Sequence, residues 1–146
     1  MLQRLISIWL ILIPALGTGQ SINRGNPEYD EIVKNDCQRV FTRTEVLPTF
    51  KISKQAFEDS LTGYLRANHA FKTRGKFTLQ FLLTKKSQIL DLTRTHGSLP
   101  NDVFTKAFLH YSKLWLPAKQ NYHEVCAFVK CTVQIKQDRL TVTVFQ

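Results

Sequence analysis

Apolar and polar residues change their rhythm several times along the chain, and each change marks an element. After Ser53, a good helix N-cap, Ala56, Phe57, Leu61, Tyr64 and Leu65 recur at helical spacing and predict a helix over Lys54–Asn68. Thr73-Arg74-Gly75 breaks the pattern. Phe77, Leu79, Phe81 and Leu83 then alternate with Thr78, Gln80, Leu82 and Thr84, the signature of a half-buried strand. Lys85 to Gln88 is a polar turn, and Ile89, Leu90 and Leu92 open a return strand that fades near Thr95, predicting an antiparallel hairpin. His96-Gly97-Ser98 and Pro100 punctuate again, and Asn101 or Asp102 can cap a second helix carrying Phe104, Ala107, Phe108, Tyr111 and Trp115. Pro117 stops that helix, because the residue before a proline is pushed out of the α region. Trp115 is then held at the helix end as a core anchor. Val125–Val133 and Leu140–Phe145 alternate once more, with Gln137-Asp138 as the turn between them.

The order helix, hairpin, helix, strands predicts an α+β fold, with two helices packed on one face of a small, three- to four-stranded antiparallel sheet. Cys37 to Phe50 adds a short strand around Arg39–Val46, halted by Pro48, so the domain spans residues 37–146. Residues 20–36 are polar, with Gly25 and Pro27, and read as a flexible leader. Residues 1–19 run from basic Arg4 through apolar Leu5–Leu16 to Gly17-Thr18-Gly19, the order of a secretory signal peptide. The apolar run is shorter than the roughly 20 residues of a comfortable membrane span. The expectation is a periplasmic or secreted protein, associated with a membrane only if this segment is retained.

Charge narrows the partners only slightly. The 20 Lys and Arg against 11 Asp and Glu give +9, or +8 (19 minus 11) without residues 1–19, which hold Arg4 and no acid. A basic surface draws nucleic acid, acidic polysaccharide or anionic membrane. The charges are nevertheless scattered, and no nucleic-acid motif accompanies them, so a solvated basic surface and no nucleic-acid partner are expected. Of the three cysteines, Cys126 and Cys131 are five residues apart on one strand, about 16 Å at ~3.3 Å per residue, too far to pair with each other. Cys37 with Cys126, Cys37 with Cys131, and three reduced thiols all remain open.

Catalytic and metal signatures are weak. His69, His96, His110 and His123 lack zinc-site spacing, and Cys126-x4-Cys131 is not the tight pair of a structural zinc site. There is no nucleophile elbow and no glycine-rich phosphate loop. Glu58-Asp59 reads as a solvated helix face. No enzyme, metal or cofactor is indicated. The last strands instead suggest a sheet edge whose free N–H and C=O groups can receive an extended peptide. The residues assigned to that edge are Val125, Phe128, Val133, Thr141, Val142, Thr143 and Val144.

Three stretches, TEVLPTF at Thr44–Phe50, GKFTLQFLL at Gly75–Leu83 and KLWLPAKQNYHEV at Lys113–Val125, stand in an order and spacing that resembles the C-terminal domain of TonB, the energy transducer of Gram-negative outer-membrane transport. The likeness is to the Bacteroidetes versions, with Pro48, Gly75, Trp115 and Pro117 as structural anchors. It covers about Arg43 to Lys136. Three positions depart from the family: Lys51-Ile52-Ser53 replace a glycine pair, Lys86-Ser87 replaces an Asp-Gly turn, and a glycine after the tryptophan motif is lost near Tyr122. The resemblance implies an exported interaction domain that grips an extended segment of an outer-membrane receptor by strand addition. With no Pro-rich spacer in the sequence, no inner-membrane tether of its own is expected. A homodimer made by strand exchange is compatible with an open edge. The rival reading is a small secreted α+β, cystatin-like inhibitor or ligand-binding protein.

Overall fold

The computed structural model describes residues 21–71, 74–97 and 102–146, so the expected signal peptide lies outside the described residues. Its first element, α1 (Pro27–Asp36), corrects the expectation of a flexible leader. Asn26 caps it by accepting the Glu28 N–H at 3.0 Å, Pro27 fits the first turn, and Glu28 and Asp30 complement the helix dipole. Tyr29, Ile32 and Val33 form its narrow apolar stripe.

After Cys37, β1 (Val40–Phe41) is shorter than the strand expected over Arg39–Val46. β2 (Thr49–Phe50) and α2 (Lys54–Ala67) follow, the latter capped by Ser53, whose hydroxyl accepts the Ala56 N–H at 3.1 Å. The predicted hairpin is β3 (Arg74–Leu83) and β4 (Ile89–Gly97). α3 (Asp102–His110) ends well before Pro117, which corrects the expected stop. A 3-10 turn (Ser112–Leu114) follows, and Trp115 is already extended because β5 (Trp115–Leu116) pairs antiparallel with β2. β6 (Ala118–Gln120), β7 (His123–Lys136) and β8 (Arg139–Phe145) complete the chain.

The fold is α+β, as expected, but richer than two helices on a small antiparallel sheet. There are three described helices, and the main sheet is mixed and six-stranded. β7 is its centre, pairing antiparallel with β3, β6 and β8 and parallel with β1. Alternation along β7 serves two cores. On one face Val129, Cys131 and Val133 pack with Phe77, Leu79 and Phe81 of β3 under α2 and α3. On the other, Cys126 joins Leu82, Leu90 and Tyr29 beneath α1.

Trp115 is fully buried in the larger core. The rings of Phe50, Phe57, Phe81 and Phe108 have centroids 4.6, 5.8, 5.3 and 5.8 Å from it. Truncating a buried ring of this kind costs about 3–5 kcal/mol. Its carbonyl oxygen accepts a 2.7 Å hydrogen bond from the buried Ser87 hydroxyl, which ties the β3–β4 turn to the tryptophan.

Left-handed backbone at non-glycine residues occurs in the β3–β4 and β6–β7 turns, among other places. Ser87 has φ 63°, and Asn121 and Tyr122, at φ 49° and 67°, make the β6–β7 turn. Gly75, expected as an anchor, has open space where a Cβ would stand. Gly97 does not: its φ is +80°, and a Cβ would collide with the Lys76 carbonyl oxygen. Gly97→Ala is expected to lower stability by about 2 kcal/mol or more, whereas Gly75→Ala should cost less than ~1 kcal/mol, as read from urea midpoints. Tyr122 is 98% exposed and so contributes little packing. Tyr122→Gly should therefore stabilise the protein by roughly 0.5–1 kcal/mol, and an unchanged or lower midpoint would show that the turn is unstrained.

Candidate functional site

A sheet offers a docking edge only where a strand lacks a neighbour on one side. Val133 is paired with Phe77 on one side and Val142 on the other, Phe128 with Leu82, and Val125 with Ala118 of β6. Val133 is therefore interior, and its assignment to an edge is corrected, whereas Phe128 and Val125 each have one strand partner, and the Phe128 carbonyl oxygen accepts from Gln146 Nε2 at 3.3 Å. A strand of 14 residues is long enough to take β3 along one side and shorter strands along the other.

β8, where Thr141, Val142, Thr143 and Val144 lie, is like β4 an outer strand, since among the described residues it pairs only with β7. Even this edge is partly closed. The outward Val142 N–H donates to the Glu58 carboxylate at 2.7 Å. Glu58 projects from α2 and is 3% exposed, with the Lys54 ammonium 3.5 Å away. Outward groups recur every second residue along an antiparallel strand, so the next ones belong to Val144, whose N–H has no hydrogen-bond partner among the described residues.

Facing this stretch is a groove of about 540 Å³, lined by Val142, Thr143 and Val144 on one side and by Glu45–Phe50 with Lys54 on the other. The opposing wall is held firmly. Val46 and Lys119 exchange backbone hydrogen bonds of 3.1 and 3.0 Å, and β2 pairs with β5. The Glu45 carboxylate accepts from Gln120 Nε2 at 3.0 Å and from the Asn121 N–H at 2.9 Å. The Thr44 N–H and hydroxyl both donate to Gln146 Oε1 at 2.8 Å. Pro48 is buried behind the wall, and Pro117 is buried between β5 and β6. Val46 and Leu47, 50% and 42% exposed, form an apolar lip. An open strand edge beside an apolar lip, with one carboxylate and one ammonium on its wall, suits an extended peptide backbone with small apolar side chains.

The cysteines resolve into one bridge and one thiol. Cys37 and Cys126 form a disulfide with Cα atoms 5.5 Å apart, and Cys131 is free and buried. Burial pushes the Cys131 thiol up to about 12, which leaves it unreactive at neutral pH. A structural disulfide is typical of oxidising compartments. Among the described residues no helix is long and apolar enough to cross a membrane.

Sequence reasoning missed Glu58. It lies three residues before Leu61 and seven before Leu65, on the apolar stripe of α2, which is the signal that marks it as buried. Its neighbour Asp59 is the solvated one, accepting from Gln55 at 2.9 Å. Comparison of the chain with protein-family models, with curated proteins and with solved structures finds no match.

Glu58→Ala leaves the buried Val142 N–H without an acceptor and should cost about 2–3 kcal/mol of stability. Glu58→Gln keeps an acceptor oxygen and should cost about 1 kcal/mol or less. Urea denaturation of the two variants checks this, and equal losses would mean that the Val142 bond contributes nothing.

Proposed function

We propose that the chain is an exported interaction domain that binds an extended peptide segment by strand addition along the outer edge of β8. The peptide backbone pairs at Val144, and its side chains rest on Val46 and Leu47. The observation that carries this reading is the outward Val144 N–H, unpartnered among the described residues, opening onto the groove of about 540 Å³. The resemblance of Thr44–Phe50, Gly75–Leu83 and Lys113–Val125 to the TonB C-terminal domain supports the choice of partner, a periplasmic segment of an outer-membrane transport receptor. In that reading the domain acts without its own inner-membrane tether, as a stand-alone and divergent relative of that domain. The disulfide between Cys37 and Cys126 supports the periplasm or the exterior as the place of action.

The reading is tested by titrating the isotope-labelled protein with synthetic peptides from the periplasmic N-terminal segments of such receptors. The amides of Thr143–Phe145 and Glu45–Leu47 should shift together. Leu47→Asp, at an exposed position, should weaken binding by about tenfold without loss of fold, since it charges the apolar lip. Val144→Pro should do the same by removing an outward donor. Shifts confined to the β4 edge or to the Asn121–Tyr122 tip, or full affinity in both variants, would refute the assignment.

A further inference from the structure

The sheet face turned away from α2 and α3 is only partly covered. α1 occupies its Leu82, Leu90 and Cys126 end. The remainder is open, and the register aligns its side chains in rows across β3, β7 and β8. The outermost row is Arg74, Lys136 and Arg139, because Lys136 pairs with both arginines. Lys76, Gln134 and Thr141 form the next row. Thr78, Thr132 and Thr143 form the third, the first two with hydroxyl oxygens 3.2 Å apart.

Like charges directly opposite one another on neighbouring strands, about 5 Å apart, are destabilising. Here three stand side by side. Among the described residues none of them, nor Lys76, pairs with a carboxylate, since the ion pairs involve Arg24, Lys54 and Lys86. Asp138, in the β7–β8 turn, is the one acid in residues 130–146. Its carbonyl oxygen accepts from Arg66 at 3.2 Å, which brings a further guanidinium to the same end. A shallow cavity of about 500 Å³ opens there, lined by Arg74, Lys76, Gln134 and Lys136 among others. The acids Glu28, Asp30 and Glu31 are exposed on α1 instead. Local repulsion of this kind, with no compensating carboxylate among the described residues, is where a fold gives up stability for binding.

We propose that this face binds an acidic linear polysaccharide. The Arg74–Lys136–Arg139 row takes its carboxylate, sulfate or phosphate groups, and the threonine and glutamine side chains behind the row take its hydroxyls. The surface favours a narrow chain over a bilayer. α1 rises from the same face by about one helix diameter, ~10 Å, and turns acids outward, so a flat anionic membrane is both held off and repelled. The charged row lies apart from the β8 groove, and only Thr143 of the rows behind it also lines that groove.

The full chain is titrated at physiological salt with a heparin hexasaccharide and with a polygalacturonate oligomer, using a dextran oligomer as the neutral control. A triple variant R74S/K136S/R139S is compared with K34S/K51S/K113S, which removes the same charge from exposed positions elsewhere. The row variant should lose about tenfold or more in affinity for an acidic glycan, and the control variant less than about threefold. The urea midpoint of the row variant should not fall, because its repulsion has been removed. The single Lys136→Gln variant should lose affinity in the same direction if the triple is poorly folded. Equal losses in the two triples, equal binding of dextran, or no binding of either acidic glycan would overturn the proposal. Row-dependent binding of phosphatidylglycerol vesicles in place of the glycans would overturn it too.

Discussion

The alternation of β7 is the constraint from which the rest of the architecture follows. A strand of this length, with alternate residues pointing to opposite faces, must find cover on both. Odd-numbered residues from Val129 to Ile135 sink into the larger core, while Cys126 enters the smaller one. The helices on one face and α1 on the other are the two answers to that demand. Both backbone sides of β7 are also used, by β3 on one and by shorter strands on the other, so it carries the hydrogen-bonded order of the sheet.

Its position also explains which backbone is left open. A strand paired on both sides is closed to outsiders, and exposure is passed outward to β8. The protein then guards most of that edge by unlike means. A carboxylate from α2 takes one outward N–H, and the Thr44–Phe50 segment stands across from the rest. What stays open is short. A short opening limits unwanted edge-to-edge association between copies and leaves room for the peptide proposed above.

Strong periodicity was legible from residue order alone. Phe77, Leu79 and Phe81 announce β3, and Phe57, Leu61 and Leu65 announce α2, because each pattern repeats often enough to outweigh local noise. α1 was hidden by its polar majority, although Asn26-Pro27-Glu28 carries a sound N-terminal signature. β5 and β6 were illegible for another reason. Two or three residues hold no period, and Trp115 and Leu116 become a strand only because β2 lies beside them. The candidate site was half visible. Alternation in Leu140–Phe145 identified an edge strand, but the interior place of Val133 is a matter of which strands meet. Residue order does not encode such meetings locally. The cap on Val142 likewise depends on α2 crossing β8 at Glu58, a contact between residues 84 apart in the chain. Glycine was legible only as punctuation, so the steric demand at Gly97 went unrecognised while open space surrounds Gly75.

The bridge between Cys37 and Cys126 spans 89 residues, and a third sulfur lies five positions from one of its ends. During oxidative maturation that arrangement invites mispairing. The fold removes the competitor by sequestration. Under α2 and α3, Cys131 is sealed in hydrocarbon and offers no nucleophile to exchange with. Cys126 lies on the opposite face, against Tyr29 of α1 and Cys37. Fidelity of the crosslink in the folded chain is thus kept by placement, because the bridge and the spare thiol lie on opposite faces of β7.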